Sequence, residues 1–93
     1  MIKKIELTQY EIDFLKRYGI YLTAPVKSKD IRELLPKTIQ GCTYRLIAVP
    51  TGQWAAYYDG HLERESIQFM ECPIEALYEL LVWCYKYGYV QKK

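Results

Sequence analysis

The feature that most constrains this fold is a long apolar helix predicted near the end of the sequence. Pro73 suits the first helical position, where its missing N–H has no intrahelical partner to lose, and Gly88 can adopt the left-handed conformation that ends a helix. Glu75 near the start and Lys86 in the last turn both complement the helix dipole. These signals predict a helix over residues 73–87.

Almost the whole circumference of this helix is apolar. One apolar face carries Ile74, Leu77, Leu81, Cys84 and Tyr85. A second apolar face carries Ala76, Leu80, Trp83 and Tyr87. Such a helix is buried on more than one side, but it is shorter than the roughly 17–25 residues of a membrane span and it carries charges. Two interpretations stay open: the helix is the centre of the domain's own core, or one side packs on the domain and the other on a partner.

Length and composition indicate one globular domain over residues 1–93. The chain is 51% hydrophobic and 26% charged, which is ordinary for a folded protein. Lys3, Lys4 and Glu6 interrupt any early apolar run, so no secretory signal is predicted and the protein is interpreted as cytoplasmic. The odd number of cysteines and the lack of a C-x-x-C pair argue against a disulfide framework and a zinc site. We therefore expect no metal and no cofactor.

Two helices, one of them short, are predicted in a helical part over about residues 8–36. Thr8 and Glu11 fit a capping box, which predicts a helix over about residues 9–18. Ser28 can cap a second helix over residues 29–35. Pro36 ends that helix because the residue before a proline avoids the helical conformation.

Three antiparallel strands and the long helix are predicted over about residues 41–89. Residues 42–49 and 54–58 have the composition of strands, and a third strand is predicted at 66–70, with Ile67 and Phe69 inward. Asp59-Gly60 is a typical two-residue hairpin signal. The predicted fold class is therefore α+β, with a three-stranded antiparallel sheet packed by the C-terminal helix.

The basic residues are concentrated in the first half of the sequence. The net charge is only +2, which is small for a dedicated nucleic-acid-binding protein. Residues 16–45 nevertheless carry seven Lys and Arg against two acidic residues. Nucleic-acid binding through this region is the alternative function, and five side chains would contact phosphates: Lys27, Lys29, Arg32, Lys37 and Arg45.

Tyrosine is unusually frequent, with ten tyrosines, two tryptophans and two phenylalanines in 93 residues. A domain of this size cannot bury fourteen rings completely, and exposed tyrosine is favoured at protein interfaces. If Trp83, Tyr87 and Tyr89 are exposed together, they form an apolar patch that marks a protein contact. With Tyr57 they make up the predicted protein interface, whose partner is a host factor or a second copy of the chain.

His61 is the only histidine and follows the predicted Asp59-Gly60 turn. A general base near Glu63 and Glu65 would have this pattern, but so would a charged hairpin tip in solvent. No motif places a serine or cysteine nucleophile near His61. The sequence therefore predicts a protein that is not an enzyme.

Residues 35–90 resemble a class of small phage and prophage proteins. The shared features are Leu35-Pro36, a short antiparallel sheet, and a helix with Ala76-Leu77-Tyr78, Leu80-Leu81 and Trp83-Cys84 that ends in Gly88-Tyr89. This resemblance implies a mobile-element origin and an accessory role. Residues 43–85 are also similar in topology to the antitoxin half of HicAB toxin–antitoxin systems, through the Asp59-Gly60 hairpin signal, a third strand, and Pro73 and Glu75-Ala76-Leu77 at the helix start.

These observations predict a small α+β protein, non-enzymatic and cytoplasmic, that acts by binding another protein. No membrane partner is expected, because no apolar run is long enough to cross a bilayer. Nucleic-acid binding stays the alternative.

Overall fold

A computed structural model of the protein describes residues 4–90. The fold is α+β, with a four-stranded antiparallel sheet packed by the C-terminal helix. The strands are β1 (Thr38–Ile39), β2 (Cys42–Ala48), β3 (Trp54–Tyr58) and β4 (Gln68–Met70). The helices are α1 (Gln9–Leu15, continued by a 3₁₀ turn over Lys16–Tyr18), α2 (Ser28–Leu34), α3 (Glu63–Ser66, preceded by a 3₁₀ turn over Gly60–Leu62) and α4 (Pro73–Lys86).

The fold class and the packing of the sheet by the C-terminal helix were predicted correctly. The predicted count of three strands was wrong, because β1 was missed, and α3 was not predicted at all. The predicted domain limits, 1–93, extend beyond the described residues. No helix within residues 4–90 is long and apolar enough to cross a membrane.

The helix boundaries follow local hydrogen bonds. At α1 the predicted capping box is present: Glu11 N–H donates to Thr8 Oγ1 at 3.2 Å, and Thr8 N–H donates to Glu11 Oε1 at 2.8 Å. At α2 the predicted cap, Ser28, is already helical, and the N-cap is Lys27. The backbone N–H of Lys27 donates to Asp30 Oδ2 at 2.9 Å, so α2 begins one residue earlier than predicted.

The C-terminal helix ends as its glycine predicts. Gly88 has φ +77°, and its N–H donates to Tyr85 O at 3.3 Å. Tyr89 N–H donates to Cys84 O at 2.8 Å. These two bonds satisfy carbonyl groups of the last turn in a Schellman motif. The helix ends at Lys86, one residue before the predicted end.

Both apolar faces of α4 pack within the chain. Eight of its side chains are buried: Ile74, Ala76, Leu77, Tyr78, Leu80, Leu81, Trp83 and Cys84. They contact the inner face of the sheet and α2, and Ile12 and Leu15 of α1 join the same core. Of the two interpretations of this helix, the structure shows the one in which α4 is the centre of the core.

The strands form a meander in the order β1-β2-β3-β4. Leu46 faces Ala56 and Tyr44 faces Tyr58, and these pairs lie on the inner face beneath α4. Because side chains alternate along a strand, the neighbouring pairs of the same two strands lie on the outer face. That face carries the cross-strand pairs Arg45–Tyr57 and Ile47–Ala55.

The connection between β3 and β4 differs most from the prediction. Asp59-Gly60 does not close a two-residue hairpin but leads into the 3₁₀ turn and α3, so Glu63 and Glu65 lie on a helical turn rather than at a hairpin tip. Ser66 Oγ accepts a hydrogen bond from Tyr58 N–H at 2.8 Å and donates to Leu62 O at 2.7 Å. This side chain takes the place of a strand partner, and β4 is therefore short.

The predicted inward orientation of Phe69 is also wrong. Phe69 is the cross-strand partner of Ala55, on the outer face, and is 50% exposed. The β1–β2 hairpin was missed because its two-residue turn is Gln40-Gly41 rather than the more familiar Asn-Gly. Both turn residues have positive φ, +50° and +82°, as a type I′ hairpin turn requires.

Candidate functional site

β2 is paired along its length on one side only. β3 pairs with it over residues 44–48, whereas β1 reaches only Cys42 and Thr43. Residues 44–48 therefore form an edge of the sheet, which we call the free edge of β2. Arg45, Ile47 and Ala48 on this edge are exposed.

Two hydrogen bonds determine which backbone groups point to this free edge. Asp59 N–H donates to Thr43 O at 3.0 Å, and Val49 N–H donates to Gln53 O at 2.9 Å, so the odd-numbered residues of β2 point towards β3. Alternate residues of an antiparallel strand bond on opposite sides. Tyr44, Leu46 and Ala48 therefore direct their N–H and C=O groups outward, where no other segment of residues 4–90 pairs with them.

The outer face of the sheet is solvent-facing and partly apolar. Ile47, Ala55 and Phe69 lie side by side in register across β2, β3 and β4. Ile47 is 43% exposed and Phe69 is 50% exposed, while the small Ala55 is buried without belonging to the core under α4. An apolar row of this kind, next to unpaired backbone groups, is typical of a surface that binds another chain.

Arg45 and Tyr57, which the sequence assigned to different functions, are cross-strand neighbours on this outer face. Arg45 Nε donates to Asp59 Oδ2 at 3.3 Å, and Asp59 Oδ1 also accepts from the backbone N–H of Thr43 at 2.9 Å. Tyr57 is half-buried. The Asp59 carboxylate thus reduces the positive charge that Arg45 offers to a phosphate.

The other predicted phosphate contacts are exposed, but acidic side chains lie close to them in the sequence. Lys27, Lys29 and Arg32 lie at or within α2, and Lys37 precedes β1. The same helix carries Asp30 and Glu33. Lys27, Lys29 and Arg32 therefore belong to a mixed-charge surface at α2.

The four residues of the predicted aromatic interface differ in burial. Trp83 is 8% exposed, with ring centroids 4.9 Å from Tyr89 and 6.3 Å from Tyr58. Tyr89 is half-buried, and Tyr87 is 60% exposed. Tyr57 lies on the opposite face of the sheet from Tyr58 and therefore from the Trp83 cluster. Trp83, Tyr87 and Tyr89 line one cleft of about 370 Å³, and Tyr57 lies apart from them.

A cleft of about 430 Å³ lies between α1 and α4. Across it Lys4 Nζ donates to Glu11 Oε1 at 2.6 Å and to Glu75 Oε1 at 3.0 Å. Burial would lower the pKa of Lys4, but these two hydrogen bonds outweigh it and raise the pKa. The ion pairs join the N-terminal segment to both helices, which is a structural role that the sequence did not reveal.

The pKa values of two acidic groups near Lys4 shift in opposite directions. Burial would raise the pKa of Glu11, but hydrogen bonds from Lys4 and Thr8 outweigh it and lower the pKa. Burial, with the nearby charges of Glu11 and Glu75, raises the pKa of Glu79. Glu79 is therefore the carboxylate of the cleft that is least well compensated.

His61 lies against a cysteine that the sequence did not place near it. Its Nδ1 is 3.4 Å from Cys42 Sγ, and its Nε2 is 3.0 Å from Gln40 Oε1. The β1–β2 turn and the 3₁₀ turn after β3 bring these residues together. Glu63 and Glu65 are exposed, and residues 4–90 contain no group of three His, Cys, Asp or Glu side chains arranged to hold a metal ion.

Comparison with protein-family models, with curated proteins and with solved structures gives no match to this chain. The class that the fold itself defines is a small α+β protein whose antiparallel meander is covered by helices on one face. The likeness to phage and prophage proteins and to HicB-type antitoxins stays a prediction from the sequence.

Proposed function

We propose that this chain is a small non-enzymatic accessory protein that binds another protein through the free edge of β2. The observation that carries the proposal is the outward direction of the N–H and C=O groups of Tyr44, Leu46 and Ala48, beside exposed Ile47. Unpaired strand edges are templates for strand addition, and natural proteins usually protect them with short strands, charges or proline. Five residues of β2 extend past the end of β1.

The occupant that this edge fits is the same edge of a second copy. Antiparallel pairing about Leu46 places Tyr44 opposite Ala48 of the second copy, so large and small side chains alternate on the inner face. On the outer face Arg45 lies opposite Ile47 of the second copy, so that no like charges face each other. In this register the outward N–H and C=O groups of Tyr44, Leu46 and Ala48 face the same groups of the second copy, and about six hydrogen bonds form.

The expected affinity is modest. At about 0.5–1.5 kcal/mol net for each hydrogen bond, six bonds do not greatly exceed the free energy lost when two chains associate. The apolar contact of Ile47 adds to them. A dissociation constant that is roughly micromolar or weaker is therefore expected.

The test is the concentration dependence of mass, measured by sedimentation velocity and light scattering. Ala48→Pro removes one outward N–H without removing a bond to β3, and proline is tolerated on an edge strand for that reason. Ile47→Lys places a charge beside the edge, and Phe69→Lys places the same charge on the same face, but on β4. We expect the first two variants to stay monomeric and Phe69→Lys to dimerise like the parent chain.

The outcomes separate the possible occupants. Loss of dimer in all three variants would show that the outer face, rather than the free edge, is the interface. A parent chain that is monomeric at every concentration would exclude the second copy. In that case a host protein bound by the parent chain, and released by Ala48→Pro but not by Phe69→Lys, would assign the same edge to a different partner.

Nucleic-acid binding is the second candidate, supported by one observation. Arg45 and Tyr57 are adjacent on an open sheet face, which is a geometry used to stack and neutralise single-stranded nucleic acid. Asp59 beside Arg45 weakens this support. Binding of a labelled single-stranded oligonucleotide that falls steeply with salt, and is lost in Arg45→Gln, would favour this function.

A further inference from the structure

We infer that Cys42 is a nucleophilic thiol, activated by His61 and oriented through Gln40, that undergoes exchange with low-molecular-mass disulfides. The site is defined by two contacts: Cys42 Sγ to His61 Nδ1 at 3.4 Å, and His61 Nε2 to Gln40 Oε1 at 3.0 Å. A thiol, a base within hydrogen-bond reach and a third group that orients the base are the parts of an activated nucleophile. This inference is independent of the free edge of β2.

The amide of Gln40 determines the direction of proton transfer. Its Oε1 can only accept a hydrogen bond, so His61 Nε2 carries the proton of the neutral imidazole. Nδ1 is then unprotonated and lies 3.4 Å from the sulfur, closer than the backbone O of Gln40 at 4.0 Å, so it is the nearer acceptor for the thiol proton. Once Nδ1 is protonated, both ring nitrogens donate, one to the thiolate and one to Gln40. The contacts of His61 are therefore compatible with the Cys42–His61 pair both before and after proton transfer.

The fold builds this arrangement from two turns. Gln40 is held in the β1–β2 turn with φ +50°, two residues before Cys42. Gly60 has φ +69° and leads directly into His61, and a Cβ atom at Gly60 would lie 3.4 Å from Cys42 Sγ. The positive φ favours glycine at this position, and the turn that it allows brings His61 to Cys42.

Access to the sulfur depends on His61. Cys42 is 4% exposed, whereas His61 is exposed and its imidazole makes the two contacts to Cys42 and Gln40. Rotation of this exposed side chain is the movement by which we expect the thiol to be uncovered. Cys84 differs, because it is 0% exposed on α4 and burial raises its pKa to about 12.

The proposed step is a thiol–disulfide exchange. The thiol proton moves to His61 Nδ1, and the thiolate attacks one sulfur of the small disulfide. A new S–S bond forms at Cys42 as the old S–S bond breaks, and the second half leaves as a thiolate that takes up a proton. The small disulfide is the oxidant, and Cys42 becomes a mixed disulfide.

The first experiment measures the reaction of the folded protein with the aromatic disulfide 5,5′-dithiobis(2-nitrobenzoate), followed by the absorbance of the released thiolate. Peptide mass mapping then locates the modified cysteine. We expect one equivalent to react at least about tenfold faster than the other two thiols, and we expect this phase to disappear in Cys42→Ser. Equal slow reaction of all three cysteines, or a fast phase that survives Cys42→Ser, would overturn the inference.

Variants of His61 and Gln40 distinguish activation from simple covering. If His61 is the base, His61→Ala slows the reaction of Cys42 near neutral pH, even though the smaller side chain leaves the sulfur less covered. Faster reaction of His61→Ala at every pH would show that His61 only covers the sulfur, and would refute the assignment.

Gln40→Glu supplies the sharpest comparison, because it keeps the length and the turn of Gln40. A carboxylate on Nε2–H stabilises the imidazolium, so we expect it to speed the reaction near neutral pH, while Gln40→Ala slows it. Far-ultraviolet circular dichroism of each variant checks that the fold is intact. Identical rates in Gln40→Glu, Gln40→Ala and the parent chain would remove Gln40 from the site.

Discussion

The two faces of the same sheet show how one alternating sequence produces both a core and a solvent-exposed surface. On the inner face Ala56 and Tyr58 are 0% exposed and lie beneath the buried side chains of α4. On the outer face Ile47 and Phe69 keep about half of their surface in solvent. The difference does not lie in hydrophobicity, because both faces carry aromatic and branched residues. It arises because α4 covers only one face.

A second difference concerns polar groups. Beneath the helices, buried polar groups are satisfied within the chain: Tyr58 Oη donates to Pro36 O at 2.7 Å, and no buried side-chain polar atom among residues 4–90 lacks a partner. Along the free edge of β2, the outward groups of Leu46 and its neighbours have no partner in the described chain. On the covered side the buried polar side chains have hydrogen-bond partners within the chain, whereas the backbone groups of the free edge can bond to another molecule.

The largest expected effect is a difference in the stability lost when an aromatic ring is removed from each face of the sheet. Trp83→Ala removes a stacked ring from the core and should lower the free energy of unfolding by about 3–5 kcal/mol. Phe69→Ala removes an aromatic ring from the outer face and should change it by less than about 1 kcal/mol. Urea denaturation of both variants, at a concentration that keeps the chain monomeric, measures the difference. Equal losses would mean that the outer face is covered in the folded chain.

The next effect concerns the buried hydroxyl that replaces a strand partner. Ser66→Ala leaves Tyr58 N–H without its acceptor in a buried position and should lower stability by about 1–3 kcal/mol. Ser28→Ala, at the start of α2, is the matched control and should change stability by no more than about 0.5 kcal/mol. Hydrogen exchange of the Tyr58 amide gives an independent measure. An unchanged exchange rate in Ser66→Ala would contradict the role given to this hydroxyl.

A smaller effect belongs to the capping box of α1. Thr8→Ala removes the acceptor for Glu11 N–H and should lower the free energy of unfolding by about 1 kcal/mol. Thr51→Ala, in the exposed turn between β2 and β3, serves as the control. If both threonine variants lose the same free energy, the cap does not stabilise α1 as proposed.

The smallest expected effects on stability come from two carboxylates in the α1–α4 cleft, and they have opposite signs. The pKa of Glu11 is lowered in the folded state, so its ionised form stabilises the fold, and this contribution is lost as the pH falls through the folded pKa. The pKa of Glu79 is raised, so its ionised form destabilises the fold, and this penalty disappears as acid protonates it. We therefore expect Glu11→Gln to lower the thermal midpoint at pH 7 and Glu79→Gln to raise it slightly.

Thermal unfolding of both variants from neutral to acidic pH measures these contributions. The difference between each variant and the parent chain should shrink as the pH falls, because the parent carboxylates become neutral as well. A Glu79→Gln variant that is less stable than the parent at neutral pH would show that Glu79 makes a favourable interaction in the fold.

The sequence by itself determined the elements whose signals are local. Pro73 and Gly88 delimited α4 to within one residue because both act through their own backbone conformation. Thr8 and Glu11 predicted the start of α1 for the same reason. The α+β class followed from the order of helical and strand patterns.

The tertiary structure decided everything that depends on residues distant in sequence. The sequence could not assign Trp83 to the core or Phe69 to the surface, because each outcome depends on which face α4 covers. It could not place Cys42 beside His61, since two separate turns bring them together across 19 residues. Nor could it reveal the free edge of β2, because an edge exists only where a neighbouring strand ends, and β1 ends after two residues.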